Sequence, residues 1–146
     1  MKNNWSENEA KKYIKKYKKL GHSEDMALRV YTTRLLGRNP ELVLHGGGNT
    51  SVKTKIKDID GKYYDVLCVK GSGWDMAEIE PAGLPAVKLN PLLTMKKKKT
   101  FSDDDMVAFQ KKNLIDTKSP NPSVETFLHA FLPFKLNIIS SHFVKE

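Results

Sequence analysis

Apolar residues recur at helical spacing in the first part of the chain. Ala10, Tyr13, Ile14, Tyr17 and Leu20 fall on one stripe. Ser6-Glu7-Asn8-Glu9 ahead of them has the form of a capping box, in which a serine oxygen takes a free amide and a glutamate reaches back. Gly21 can end that helix. Ser23 then reads as a second N-cap, with Met26, Ala27, Val30, Tyr31, Thr33 and Leu35 behind it, and Gly37 with Asn39-Pro40 closes the segment. From there the period shortens. Leu42-Val43-Leu44 predicts a short apolar strand running into Gly46-Gly47-Gly48, and Val52, Thr54 and Ile56 alternate along 51–59. Asp60-Gly61 signals a hairpin, with 63–69 as the returning strand. Ala86 to Leu89 suggests one more short strand. Ser102 caps a helix over 103–113 whose acidic first turn suits the helix dipole. A last helix is expected from Ser123 to Phe131, stopped by Pro133. The sum is one α/β domain: two helices, a sheet, then more helices.

Composition changes this picture little. The chain has 146 residues, one domain's worth, and 39% of them are hydrophobic, enough for one core. No stretch approaches the length of a membrane span. The polar start, Met1-Lys2-Asn3-Asn4-Trp5, does not look like a secretory signal. The single cysteine, Cys68, cannot form an internal disulfide, which suits a reducing cytoplasm. The net charge of +8 comes almost wholly from lysine, grouped at Lys11 to Lys19 and Lys96 to Lys99. Such groups read as solvated faces, and the few arginines argue against a nucleic-acid reader.

The candidate chemistry lies in three segments. His45-Gly46-Gly47-Gly48-Asn49-Thr50-Ser51 follows a predicted strand and combines glycines with polar donors. Lys70-Gly71-Ser72-Gly73 repeats the ingredients and adds a cation. Backbone amides in such loops can approach an anion. Neither loop has the spacing of a Walker loop or a dinucleotide fingerprint. In Asn121-Pro122-Ser123-Val124-Glu125-Thr126, Ser123 is placed at a helix start, where free amides attract phosphate, with Glu125 one turn in.

The three segments together resemble the signatures of the class II aldolase/adducin family. Leu42 to Val52 is similar to the first, Val69 to Met76 with Ile79-Glu80-Pro81-Ala82-Gly83 to the second, and Pro122 to Pro133 to the third. The likeness is closest to the branch in which a rhamnulose-1-phosphate-aldolase-like domain is fused to a short-chain dehydrogenase. It implies a three-layer α/β/α fold around a mostly antiparallel sheet, incomplete at the C-terminus. It implies a cytoplasmic lyase that cleaves a sugar phosphate by a retro-aldol reaction and forms homo-oligomers in the complete family. Gly48, Asn49, Ser51, Gly71, Ser72 and Ser123 would surround the substrate phosphate, and Glu125 would be the catalytic acid/base.

In that family Zn²⁺ polarises the ketose oxygen, held in part by a His-x-His pair soon after the third signature. Here the sequence reads Ser140-Ser141-His142, with a lone histidine. The expectation is therefore a family segment over 1–135 and a divergent tail over 136–146, with no metal site, no zinc bound by this chain and no turnover alone. A sheet cut there would leave Phe127, Phe131 and Phe134 exposed. Two alternatives stay open: a non-catalytic scaffold like adducin, or a half-domain completed by a separate partner.

Overall fold

A computed structural model describes residues 3–140. Helix α1 (Glu7–Lys19) begins at Ser6, whose hydroxyl accepts the Glu9 amide at 3.4 Å. The capping box is only half formed. The Ser6 amide donates to the Tyr31 hydroxyl at 2.9 Å, and Glu9 pairs instead with Lys12. Helix α2 (Glu24–Gly37) is capped by Ser23, and α4 (Asp103–Lys112) by Ser102, as their sequences predict.

The hairpin forms at Asp60-Gly61. Strand β1 (Asn49–Lys57) pairs antiparallel with β2 (Tyr63–Val69), with Val52 opposite Cys68. Strand β3 (Ala86–Lys88) adds to β2 and leads into the short helix α3 (Leu89–Thr94). Helix α5 (Thr126–Phe131) precedes β4 (Leu136–Ile139), which pairs antiparallel with β1. The sheet order is β3-β2-β1-β4. The predicted strand at Leu42-Val43-Leu44 does not form. The carbonyl of Asn39 accepts both the Leu42 and Val43 amides, so the run continues the turn that follows α2. Val43 is buried by side-chain packing alone. A three-residue apolar run with no strand edge beside it has nothing to pair with.

Helices cover both faces of the sheet. On one face Tyr17, Met26, Ala27 and Val30 of α1 and α2 pack on Val52, Val66 and Cys68. On the other, Leu67, Val69 and Val87 meet Leu92, Leu114, Phe127 and Ala130. This is the expected α/β/α layering. Phe127 belongs to the second core, Phe131 is half-buried, and only Phe134 of the expected exposed trio is largely open, at 61%. β4 lies beyond the boundary at residue 135 drawn from sequence; His142 lies outside the described residues. Among the described residues, no helix is long and apolar enough to cross a membrane.

Candidate functional site

β1 sorts its side chains by alternation. Thr50, Val52 and Thr54 face α2, while Asn49, Ser51 and Lys53 face α5. The site grows from the second set. The chain enters β1 through Gly48, whose φ is +68°. A Cβ there would lie 2.8 Å from Met76 Sδ and 3.2 Å from Val43, so both backbone angle and space require glycine.

Asn49 Nδ2 donates to Glu125 Oε2 at 2.9 Å and also to Ser123 Oγ. Ser123 Oγ in turn donates to the same Glu125 oxygen at 2.7 Å. Burial alone would push the Glu125 carboxyl up, but these bonds outweigh it and hold it below the usual range. Oε1 makes no hydrogen bond to the described residues. Ser123 is not at a helix start, as its sequence suggests, but in the turn before α5. Its carbonyl accepts the Thr126 amide at 3.2 Å, and Glu125 is the cap residue rather than one turn in. The preceding Pro122 bridges to Gly71 across the site, and this places the segment.

Gly71 and Ser72 are brought to the cluster by backbone. The Ser72 amide donates to Asn121 O at 3.0 Å and the Gly71 amide to Gly83 O at 2.9 Å. A Cβ on Gly71 would press on Pro120 and Asn121 at 3.2–3.3 Å, so glycine permits the close approach. These two amides are thus spent on protein carbonyls; the exposed Ser72 hydroxyl is the group still open. Ser51 is drawn away from the site. Its hydroxyl bonds His129 Nδ1 at 2.9 Å in the interior, and both residues are fully buried. Burial lowers the His129 imidazole to about 4, so it is neutral near pH 7.

Lys70, which the sequence marks only as the cation of its loop, is held close enough to Glu125 and Asp75 to feel both charges. It is 6% exposed, and among the described residues its ammonium has no hydrogen bond or ion pair. Burial pulls it down, while Glu125 and Asp75 pull it partly back. Its position at the inner end of a glycine loop was the available signal. Asp75 borders the same face, accepting the amides of Gly46 (3.2 Å) and Ala77 (2.7 Å) and meeting His45 Nδ1 at 2.6 Å. Ala77 first, then Gly46 and the nearby cations, hold its carboxyl low against burial.

The arrangement offers an anchored carboxylate with one free oxygen beside an unneutralised cation and an open hydroxyl. That set can bind an anionic group and move a proton next to it. Among the described residues no three His, Cys, Asp or Glu side chains gather to hold a metal ion. His45 is engaged by Asp75, and His129 is buried against Ser51. Among the described residues the donor set does not fit zinc. Two cavities of about 400 Å³ lie elsewhere, one along Lys53, Thr54 and Lys135, the other between Tyr17, Met26 and Pro85.

Residues 27–133 match the Class II Aldolase and Adducin N-terminal domain family. The chain belongs to that family. The structure is similar to the N-terminal class II aldolase domain of a conserved protein from Thermoplasma acidophilum, with a TM-score of 0.82 and 39% identity, over 96% of this chain and 60% of that one. In sequence it is 42% identical over 106 residues to the uncharacterized oxidoreductase YuxG of Bacillus subtilis, covering 73% of this chain and 15% of YuxG. The chain therefore spans a small part of that curated relative and about three-fifths of the solved domain.

Proposed function

We propose that the chain carries the anion-binding and proton-transfer part of a class II aldolase-like lyase acting on a phosphorylated sugar. Lys70 and the Ser72 hydroxyl meet the phosphate, with Gly48 and Gly71 letting the loops close around it. Glu125 is the acid/base. Asn49 and Ser123 hold one of its oxygens and leave the other directed at the substrate. The observation that carries this reading is the Asn49–Ser123–Glu125 cluster beside the unpaired Lys70.

Retro-aldol cleavage develops negative charge on the ketose oxygen. In the family a zinc ion stabilises that charge. The described residues assemble no ligand set for it, so the reading is of binding and proton transfer without turnover by this chain alone. The domain is read as acting in the cytoplasm, fused in its longer relatives to an oxidoreductase. The match to a small part of YuxG supports that arrangement. A second reading, a non-catalytic binding module of the adducin kind, draws support from the Gly71 and Ser72 amides, which are already satisfied within the protein.

Amide NMR titration of the whole chain with inorganic phosphate and a panel of ketose phosphates tests the proposal. Shifts centred on Lys70, Ser72 and Glu125, lost in Lys70→Met, are expected, with affinity on the order of millimolar for so open a site. Shifts spread over the lysine-rich helices, unchanged in Lys70→Met, would favour the adducin-like reading.

A further inference from the structure

The first glycine loop reaches the site with little structure of its own. Leu44 O accepts the Gly47 amide at 2.8 Å, and Gly46 and Gly48 both take positive φ, +73° and +68°. Consecutive glycines have wide backbone freedom, so such a loop holds one shape only where groups outside it fix it. Asp75 of the second loop does this. Its Oδ2 accepts the Gly46 amide at 3.2 Å and meets His45 Nδ1 at 2.6 Å, and its Oδ1 accepts the Ala77 amide at 2.7 Å.

The mount behind Asp75 is rigid. Its two neighbours are packed where an added methyl would clash. A Cβ on Gly83 would lie 2.6 Å from the Trp74 ring, and a Cβ on Gly37 would lie 2.4 Å from the Ala77 nitrogen and 2.6 Å from Met76 Cβ. Met76 is fully buried, and its sulfur packs against Gly48. Asp75 therefore ties the loop 45–48 to a fixed point just ahead of Asn49, whose side chain holds Glu125. The charge of Asp75 acts the other way. A carboxylate bordering an anion site repels the anion, and Asp75 lies near enough to Lys70 for the two charges to be felt by each other. Charge and geometry thus predict opposite effects of removing it.

We infer that Asp75 is a positioning residue for the anion site: it clamps the first glycine loop against the second and so sets Asn49 against Glu125. Among the described residues Asp75 makes no hydrogen bond to Glu125 itself, so it acts through the loop. His45 is the second point of attachment, beside the Gly46 amide, and its side chain is otherwise open, at 96%. The inference rests on the anion-site reading for the ligand part of its test; the Asn49–Glu125 geometry it acts on is present without a ligand.

Two variants of the full chain test it, with the Glu125 carboxyl followed by carbon-detected NMR and sulfate binding followed at Lys70. Asp75→Ala removes a negative charge, which by electrostatics alone would tighten sulfate and lower the Glu125 midpoint. Loss of the clamp does the reverse. The midpoint should rise, and sulfate should bind roughly tenfold more weakly, because the ligand must now order the loop. Asp75→Glu keeps the charge and displaces the oxygens by one methylene, and it should move both readouts in the same direction. Should Asp75→Ala fail to fold, Asp75→Glu decides. A lowered midpoint or tighter sulfate in Asp75→Ala, or both readouts unchanged in Asp75→Glu, overturns the inference. Absence of sulfate binding by the unmodified chain would count against the anion site alone, and the Glu125 midpoint would still decide the clamp.

Discussion

The Asn49 amide reaches the Glu125 carboxylate at 2.9 Å across 76 positions of sequence. It joins the first residue of β1 to the cap of α5, and with Ser123 it sets the charge state of the candidate acid. Glu125 is held below the usual carboxyl range in the folded chain, so its contribution to stability is present above the unfolded value and lost as pH falls through the folded one. Asn49→Ala should raise the Glu125 titration midpoint and destabilise the chain by about 1–3 kcal/mol, because Ser123 and Glu125 lose a buried donor. Carbon-detected NMR of the Glu125 carboxyl and urea unfolding measure the two effects. A midpoint unmoved in Asn49→Ala would separate the residues functionally.

His129 gives a second handle on pH, with the same sign. Its folded value of about 4 lies below that of a free imidazole, so between those limits the unfolded chain binds the extra proton. Stability should therefore rise with pH from about 4 to about 6.5, by up to about 3 kcal/mol. His129→Gln should flatten that slope while keeping a polar partner for Ser51. Unfolding free energies measured across the window test this, and an equal slope in the variant would place the titrating group elsewhere.

Gly48→Ala should cost about 1–3 kcal/mol, since the new methyl meets a positive φ and the fully buried Met76. Met76→Ala carries its own cost as a fully buried side chain, so the packing part of the Gly48→Ala loss is read from the double-mutant cycle of the two. Thermal unfolding of both single variants and the double variant gives that coupling; a coupling of zero would mean that backbone angle alone fixes the glycine.

Glu80 joins the two N-terminal helices. It accepts from the Tyr17 hydroxyl on α1 and from Arg34 on α2. Burial first, then Glu80, raises the Tyr17 hydroxyl well above its ordinary value. Tyr17→Phe should cost about 1 kcal/mol, and Glu80→Ala more, about 2–3 kcal/mol, because it strands both donors. Denaturant midpoints should rank the variants in that order. The reverse ranking would show that the tyrosine body, rather than Glu80, couples the helices.

The local chemistry of the chain was readable residue by residue. Ser6, Ser23 and Ser102 cap the helices they precede, and Asp60-Gly61 turns the hairpin. Each signal acts within a few positions, where spacing alone decides. Leu42-Val43-Leu44 misled because an apolar triplet is compatible with a strand or a packed turn, and a neighbouring edge decides between them. The helix at Ser123 begins later because the serine oxygen and carbonyl are used to build a turn. The gathering of Asn49, Ser123 and Glu125 was implied by the family likeness, but their bonding pattern was not readable. The burial of Lys70, the diversion of Ser51 to His129 and the spent amides of Gly71 and Ser72 depend on tertiary contacts. No spacing rule carries those.

The long span between Asn49 and Glu125 also bears on the order of assembly. The β1–β2 hairpin and the α1–α2 pair close over short stretches of chain, at small entropic cost. The bond between Asn49 and Glu125 waits until α5 has been made and seated against β1. In a chain emerging from a ribosome, Asn49 is therefore synthesised long before its partner and stands open until then. The titration of one carboxyl becomes a reporter of completed folding: a Glu125 that ionises like a free glutamate marks a molecule in which α5 has yet to seat against β1.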